Sequence, residues 1–508
     1  MDSICDWFAA DSARQYLAED KLIENYYSNE VAELGVVPIV VSYVGNGKGK
    51  GLVATQDIAA GGRIFNERAA FAMQNMDNHP LARVCGVCLA FLGNKNNTMG
   101  NKDNNSSVEI AAVAHLLRRS LTPREIAAVN DAFAAAGLAK HEALDLSCFV
   151  EGNDTEMTKT CSTRYCSIEC RNYDLRNGHA RICPARVEHV DTFIEHATST
   201  NESFLLALKV YAAVAERVAS LGLSSPDLSA QEQLKRALWP FRLFAKDYWW
   251  NICQPDLDSS AEELTLALKS ILKESSQYLK YIFANVPQLT PILTVEFYSL
   301  IMGIFEQNNV SLVNPSPVLS IIENLSLTDK ILQSKILESV SQLMPENDCY
   351  SEHHHDHGSH NGGHSHSHSH GHDYEDDDDR SEDPFEVLDA LVAEGNGLHT
   401  IHATINHSCT PNAMVFKDAS TLVPNNVSKS ETKIRNGSTI VIAIKDIKAG
   451  EEITVSYLDE GAVNEYDEDE DVEEEKEIDE DHIAWRAMSL KEYGIRKCEC
   501  PKCAPPQA

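Results

Sequence analysis

A polar heptad near the C-terminus constrains the fold of this chain more than any other stretch. It reads Asn406-His407-Ser408-Cys409-Thr410-Pro411-Asn412, and its proline favours a tight loop. About forty residues later, Gly450 opens a strand that runs to Tyr457, with Ile453 and Val455 on one face. The two stretches bring together an amide, an imidazole, a thiol and a phenol. Such groups suit a buried site that orients a cofactor and a nucleophile.

Length and charge limit the class of protein. A chain of 508 residues predicts roughly two to four structural units with real hydrophobic cores. The formal net charge of −34 argues against direct binding of nucleic acid, because phosphate recognition needs basic surfaces. The acidic runs at 375–379 and 465–481 are typical of solvated, disordered sequence, although they could also attract a basic partner.

The N-terminus lacks the basic and apolar regions of a secretory signal, and no apolar run is long enough to span a membrane. We therefore expect the nucleus, the cytoplasm or both, and not secretion. The 14 cysteines are accordingly predicted to be reduced thiols, and clustered ones to be metal ligands.

The first third of the chain alternates between helix and strand signals. Residues 1–35 are predicted to form an amphipathic helix, followed by a strand at 37–44 and another near 63–65. Between the strands, residues 45–51 alternate glycine with polar residues. This pattern lets the backbone approach a ligand closely, although a simple hairpin turn would look much the same.

Eight soft or borderline metal ligands follow, which is enough for two tetrahedral zinc ions: Cys85, Cys88, Cys148, Cys161, Cys166, Cys170, His179 and Cys183. An insertion separates the second ligand from the third. It contains a polar stretch at 93–107 and a predicted helix with Thr122 as N-cap, Glu125 completing a capping box and Gly137 as the stop.

Residues 200–345 are mainly helical by period, most clearly at 204–211, 264–281 and 295–305. An aromatic group in this region favours a core position over a cage for a methylated amine: Trp239, Phe241, Phe244, Tyr248, Trp249 and Trp250. Residues 353–372, which hold ten histidines, and the acidic residues after them predict a linker. Metal buffering or pH sensing by this tract is the minor alternative.

The chain ends with a strand at 438–444, a helix at 485–493 and the cluster Cys498, Cys500 and Cys503. Three cysteines lack a fourth ligand, and Cys409 of the heptad can supply it. This combination predicts a third zinc that ties the C-terminus to the candidate site.

These motifs together resemble the SET and MYND lysine methyltransferases. The heptad with the Gly450–Tyr457 strand resembles the C-terminal half of a SET domain, and residues 48–55 resemble its opening hairpin. Cys166 to Cys183 resembles a MYND zinc finger, and the terminal cysteines resemble a post-SET site. The resemblance implies an α+β fold in which a SET domain is split by a MYND finger and a helical insert.

The implied division of the chain is as follows: an N-terminal helical segment (1–35), the SET N-terminal part (36–84), the MYND finger with its insertion (85–185), a helical insert (186–345), a His-rich and acidic linker (346–385), the SET C-terminal core (386–460), an acidic insert (461–482) and a post-SET zinc segment (483–508).

The resemblance also implies roles for individual residues. S-adenosylmethionine would contact the following residues: Lys48, Gly49, Lys50, Gly51, Asn308, Asn406 and His407. Tyr457 would be the catalytic tyrosine where the cofactor and substrate channels meet. One MYND zinc would be held by Cys85, Cys88, Cys166 and Cys170, and the other by Cys148, Cys161, His179 and Cys183.

Two stretches depart from the family pattern. His399 stands where the family usually has an aromatic residue, and residues 493–497 carry one residue more than the family's Tyr-Gly-Phe pattern. The latter segment lines the lysine channel in the family, so it bears on substrate choice.

The resemblance implies methyl transfer from S-adenosylmethionine to lysine. It is nearest to a short branch without C-terminal helical repeats, which includes a fungal histone methyltransferase that acts on the fourth core histone. The substrate would be a basic protein, either a histone tail or a ribosomal protein, and we expect a monomer. A catalytically weak scaffold that recruits partners is the alternative. A metal-handling protein built on the histidine tract would leave the SET motifs unexplained.

Overall fold

The structure of the protein is a computed structural model. It describes residues 3–10, 12–45, 48–79, 82–92, 122–125, 127–128, 146–148, 161–253, 260–315, 319, 322, 325, 330–341, 392–416, 438–458, 480–495 and 498. Within them, helices and short strands are mixed, as the α+β prediction requires. Several predicted features lie outside the described residues: the stop at Gly137, the stretch 93–107, the histidine tract and the acidic run at 375–379. Of the acidic run at 465–481, only residues 480 and 481 are described.

The described helices are α1 (Ile4–Ala9), α2 (Ser12–Glu33), α3 (Ile168–Arg176), α4 (Val190–Thr200), α5 (Ser203–Ser224), α6 (Ala230–Arg242), α7 (Trp249–Ile252), α8 (Ala261–Ile282), α9 (Val295–Asn308), α10 (Lys330–Ser341) and α11 (Glu480–Glu492). Short 3-10 turns cover His179–Arg181, Pro287–Ile292 and His402–Thr404. None of these described helices is both long and apolar enough to span a membrane.

The described strands are β1 (Ile39–Gly45), β2 (Gly49–Ala54), β3 (Arg63–Arg68), β4 (Phe71–Gln74), β5 (Leu146–Ser147), β6 (Arg164–Tyr165), β7 (Asn309–Pro315), β8 (Val392–Leu398), β9 (Asn406–His407), β10 (Ala413–Phe416), β11 (Ser438–Ala443) and β12 (Glu452–Val455). They form sheets in the orders β1-β2-β12-β9, β10-β11-β3, β4-β8-β7 and β5-β6.

Three of these sheets join distant parts of the chain. Strand β2 pairs with β12, with Leu52 opposite Ile453. Strand β3 pairs with β11, and β4 pairs with β8. An apolar cluster that includes Leu52, Val441 and Ile453 lies between the first two sheets. The N-terminal hairpin and the C-terminal motifs therefore belong to one structural unit, although hundreds of residues separate them.

The three helices predicted by periodicity are confirmed as α5, α8 and α9. Their apolar faces form one core with α4 and α6, in which Phe204, Tyr211 and Phe297 are fully buried. The aromatic group divides: Phe241, Phe244 and Trp249 are core residues, whereas Trp239, Tyr248 and Trp250 are partly buried. The capping box is confirmed by the Thr122 N–H bond to the Glu125 carboxylate at 2.7 Å.

One strand lies where the sequence predicted mainly helix. Residues Asn309–Pro315 form β7, which pairs along its whole length with β8. Val310 and Leu312 point inward and Ser311 lies between them, which is the two-residue period of a strand. The stretch is short, and the strong helical pattern that precedes it made helix the expected continuation. Its pairing partner begins only at Val392, so local sequence gives no sign of the sheet.

Candidate active site

The two C-terminal motifs meet through a short parallel pairing. Asn406 lies opposite Thr454 and His407 opposite Val455, which joins β9 to β12. On its other side β12 pairs with β2, the strand that follows the glycine-rich loop. A third contact, from the Ser408 N–H to the Val455 carbonyl at 2.9 Å, extends the pairing into the loop. Three separate sequence motifs thus share one sheet.

Asn406 is held by hydrogen bonds to β2 and to β12. Its Nδ2 donates to the Lys50 carbonyl at 2.9 Å and to Oε1 of Glu452 at 2.8 Å. The other oxygen of Glu452 accepts from Lys48 Nζ at 2.8 Å. A Cβ on Gly51 would lie 3.0 Å from Asn406 Nδ2 and closer still to Val44, so glycine is needed for this approach. Glu452 is not among the site residues predicted from the sequence.

Lys50 points inward and is only 9% exposed. Its Nζ donates to the Leu243 carbonyl, at the turn that follows α6. Burial lowers the pKa of Lys50 to about 8, since the charged form loses its hydration. The same turn receives Asn308, whose Nδ2 donates to the Ala245 carbonyl at 2.8 Å. Predicted cofactor residues from the hairpin and from α9 therefore converge on one turn.

A second lysine reaches this turn and was missed by sequence reasoning. Lys246 Nζ donates to the carbonyls of Arg242 at 2.7 Å and Phe244 at 3.0 Å. Burial, and then the charge of Lys50, place the pKa of Lys246 well below its usual range. No pattern around residue 246 signals this position, because the lysine becomes part of the site only through the packing of α6 against the hairpin.

Tyr457 lies at the junction of these elements. Its hydroxyl donates to the Ile405 carbonyl at 2.6 Å, and its backbone N–H donates to His407 Nδ1 at 3.0 Å. Burial, followed by the neighbouring Tyr493, raises the pKa of the Tyr457 phenol, so the phenol stays protonated at neutral pH. Tyr493, in the segment that departs from the family pattern, packs its ring 4.9 Å from that of Tyr457.

The turn before β9 is stabilised by a buried carboxylate that the sequence did not reveal. Glu67 accepts from the backbone N–H groups of Ile401 at 2.8 Å and His402 at 2.7 Å. Burial raises the pKa of Glu67 to about 7. His399 on the same turn is fully buried, and burial lowers its pKa to about 3. His399 is therefore a neutral ring in the position where an aromatic residue was expected.

The structure brings eight predicted metal ligands into two groups, each with its four ligand atoms within 4.8 Å of one another. The groups are Cys85, Cys88, Cys166 and Cys170, and Cys148, Cys161, His179 and Cys183. In the first, Sγ–Sγ distances of 3.5, 3.6 and 3.8 Å approach the edge of about 3.8 Å that tetrahedral zinc with bonds of about 2.3 Å requires.

The second group has the hydrogen bonds that a metal-bound histidine needs. His179 Nε2 lies 3.5 Å from Cys161 Sγ, and its Nδ1 lies 3.2 Å from Oδ2 of Asp174. The Tyr165 hydroxyl donates to the same oxygen at 2.7 Å. A carboxylate at Nδ1 fixes the proton there and leaves the Nε2 lone pair for a metal. Both groups therefore fit zinc.

A third group contains His407, Cys409 and Cys498, with the two sulfur atoms 3.7 Å apart. Cys500 and Cys503, the other predicted ligands of this site, lie outside the described residues. The side chain of His407 was expected to contact the cofactor. Both of its ring nitrogens face protein atoms, Cys409 Sγ and the Tyr457 N–H.

A family model for the SET domain matches residues 262–458. Over 488 residues the chain is 23% identical to the histone-lysine N-methyltransferase ATXR2 of Arabidopsis thaliana, covering 90% of this chain and 88% of the relative. It is 22% identical over 476 residues to the protein-lysine N-trimethyltransferase SMYD5 of Gallus gallus, covering 91% and 84%. The Homo sapiens SMYD5 is 34% identical over 113 residues, 22% of this chain and 20% of the relative.

The chain carries a SET domain. The matched range includes Asn308, Asn406, His407, Cys409 and Tyr457. The SET match and the methyltransferase names of its relatives support a lysine methyltransferase.

The SET match begins within the helical region, after the hairpin β1-β2 and all eight clustered ligands. The sheet nevertheless joins that hairpin to the SET domain, because β2 pairs with β12 inside the matched range. Residues 49–54 thus complete the SET sheet from outside the match.

Proposed function

We propose that this chain transfers a methyl group from S-adenosylmethionine to lysine side chains of a basic protein. The observation that carries the proposal is the pairing of β9 with β12 beside β2, which brings Asn406 and Tyr457 of the SET match together with the glycine-rich strand that precedes it in the chain. Each of these residues has an ordinary structural explanation alone. Their arrangement on one sheet supports a single site.

The cofactor would lie between the hairpin and the turn after α6. S-adenosylmethionine supplies a methyl group on a sulfonium. Gly51 lets Asn406 approach the hairpin closely, Asn406 is fixed by Glu452, and Lys50 brings positive charge to the turn. A buried cation such as Lys50, with no carboxylate beside it in the described residues, suits an anionic group such as the amino-acid carboxylate of this cofactor.

Tyr457 and Tyr493 would orient the substrate amine. Methyl transfer is an in-line displacement, so the protein mainly aligns the reacting atoms and excludes water. The two rings pack against each other, and the Tyr457 hydroxyl is fixed by the Ile405 carbonyl. The phenol stays protonated, and its oxygen keeps lone pairs with which to accept a hydrogen bond from the amine.

The substrate we propose first is a histone tail, that of the fourth core histone, and ribosomal protein is second. The net charge of −34 favours recruitment of a basic chain. One relative is named for histone lysine and the others for protein lysine in general, which supports a protein substrate, histone or otherwise. We further propose that residues 85–185 form a MYND finger with two zinc ions, that Cys409 and Cys498 belong to a post-SET zinc site, and that the protein acts in the nucleus, the cytoplasm or both.

A radiolabelled S-adenosylmethionine assay tests the proposal. Wild type, Tyr457→Phe and the exposed-tyrosine control Tyr281→Phe would each be incubated with separate core histones and with ribosomal proteins; Tyr281 is 62% exposed. We expect label on one substrate class, a loss of about tenfold or more with Tyr457→Phe, and no change with the control. Cofactor binding without transfer to either class would favour the scaffold. A folded, zinc-loaded protein that binds no cofactor would refute the proposal.

A further inference from the structure

The imidazole of His407 is engaged at both nitrogens. Its Nδ1 accepts the backbone N–H of Tyr457 at 3.0 Å. Its Nε2 lies 3.1 Å from Cys409 Sγ, and that sulfur lies 3.7 Å from Cys498 Sγ. The ring also packs 5.3 Å from the Tyr457 ring. One buried side chain therefore connects the third metal-ligand group to the candidate catalytic tyrosine.

The partner at Nδ1 fixes the position of the proton. A backbone N–H can only donate, so Nδ1 must present its lone pair. A neutral imidazole then carries its proton on Nε2, which faces the sulfur. Coordination of a metal through Nε2 would leave the ring without a proton at either nitrogen. His407 is thus arranged to donate a hydrogen bond to Cys409.

His179 shows the opposite arrangement within the same molecule. Its Nδ1 faces a carboxylate, and its Nε2 lies 3.5 Å from Cys161 Sγ. Tetrahedral zinc with bonds of about 2.0 Å to nitrogen and about 2.3 Å to sulfur has an N–S edge of about 3.5 Å. The His407–Cys409 distance of 3.1 Å is shorter than this edge and lies within hydrogen-bond reach of the sulfur. Distance and tautomer therefore distinguish the two histidines in the same way.

We propose that His407 is a positioning residue that couples the post-SET metal site to Tyr457. Its Nε2–H donates to the Cys409 thiolate, and its Nδ1 holds the backbone of Tyr457 in place. The proposal deepens the proposed function, because it rests on the role of Tyr457 in methyl transfer. On this proposal His407 is not a ligand of the metal, although its side chain belongs to the third group with Cys409 and Cys498.

Nitrogen NMR of the zinc-loaded wild type tests the tautomer directly. In protein labelled with 15N-histidine, the resonances lost in His407→Asn identify His407, and those of His179 serve as an internal reference for a ligand histidine. We expect Nε2 of His407 to be the protonated nitrogen and Nδ1 the unprotonated one. A metal-bound Nε2 with a protonated Nδ1 would overturn the proposal.

Metal release gives a second test that does not depend on activity. Removing an outer hydrogen bond to a ligand commonly costs roughly ten- to a hundredfold in metal affinity or activity. We expect His407→Asn to keep the wild-type metal content but to release one metal ion to a chelator roughly ten- to a hundredfold faster. The matched control is His189→Asn, at an exposed residue whose φ of +68° asparagine tolerates.

Kinetics then separate positioning from structural loss. With His407→Asn we expect kcat to fall by roughly ten- to a hundredfold while the KM for S-adenosylmethionine changes little. Loss of one metal ion per chain would identify His407 as a ligand and overturn the proposal. If the wild type transfers no methyl group, the proposed function fails, while the NMR and metal-release results still decide the role of His407.

Discussion

At the scale of single residues, two lysine side chains lie close to the candidate cofactor site of this acidic chain. Lys50 and Lys246 each donate to backbone carbonyls of the turn after α6, where no carboxylate is seen to pair with either among the described residues. Burial, followed by the charge of Lys50, lowers the pKa of Lys246, so a second positive charge here is unfavourable. Such an arrangement becomes useful when an anionic group enters beside it.

The affinity for S-adenosylmethionine should therefore depend on the ionisation of Lys50. Its pKa in the free protein is lowered to about 8, so the charge is present below that pH and is lost above it. We expect the Kd to rise by up to about tenfold per pH unit above 8. Lys50→Arg should flatten this rise, and Lys50→Met should bind weakly at every pH. Calorimetric titration from pH 7 to 9 measures the Kd at each pH. If Lys50→Met showed the same dependence of Kd on pH as the wild type, the prediction would be contradicted.

At the scale of elements, α9 matters because it carries Asn308 to the site. The helix crosses the turn before α7 at Gly303, where an added Cβ would overlap the Asp247 carbonyl oxygen. At the far end, the Gln307 side chain donates to the Glu492 carbonyl at 3.0 Å, which links α9 to α11 beside Tyr493. The position of α9 therefore affects both the cofactor side and the lysine side.

Two glycine substitutions should separate packing from helix propensity. In Gly303→Ala the added Cβ would overlap the Asp247 carbonyl oxygen and force the two segments apart. We expect this to destabilise the protein by about 1–3 kcal/mol. Gly222→Ala, inside α5, meets only Gln233 Oε1 at 3.9 Å, so it should stabilise by about 0.5–1 kcal/mol through its higher helix propensity. Thermal unfolding of both variants measures the two effects. Equal changes in Tm would show that the packing at Gly303 has no special role.

At the scale of the whole molecule, the cysteine-rich unit is fixed to the sheets by polar contacts. Lys209 Nζ donates to the carbonyls of Ala72 at 2.6 Å and Gly86 at 3.1 Å. The Tyr173 hydroxyl donates to the Ala70 carbonyl at 3.0 Å, and Arg68 lies 3.8 Å from Cys170 Sγ. Loss of a metal ion from this unit should therefore also destabilise the strands that it contacts.

Removing one thiolate should remove one metal ion. Cys170→Ser breaks the first ligand group, so we expect one fewer zinc per chain and a lower Tm, because structural zinc contributes directly to folding. Cys5→Ser is the matched control, since Cys5 belongs to none of the described metal-ligand groups. Elemental analysis with calorimetry measures both quantities. Unchanged zinc content in Cys170→Ser would show that the ligand assignment is wrong.

The sequence by itself determined the features that short spacings encode. Helical periodicity located α5, α8 and α9, because one turn repeats every few residues and needs no distant partner. The ligand spacing from Cys166 to Cys183 and the heptad around His407 indicated metal and SET chemistry for the same reason. Local geometry places those side chains relative to one another whatever the rest of the chain does.

Only the tertiary structure decided which distant groups meet. The pairing of β7 with β8, the burial of Glu67 beneath the 400–402 turn, and the arrival of Lys246 next to Lys50 depend on contacts across many tens to hundreds of residues. The same holds for Nδ1 of His407, which accepts the backbone N–H of Tyr457 from 50 residues further along the chain. These outcomes follow from which surfaces bury together and which polar atoms then need partners, and neither is written in the spacing of neighbouring residues.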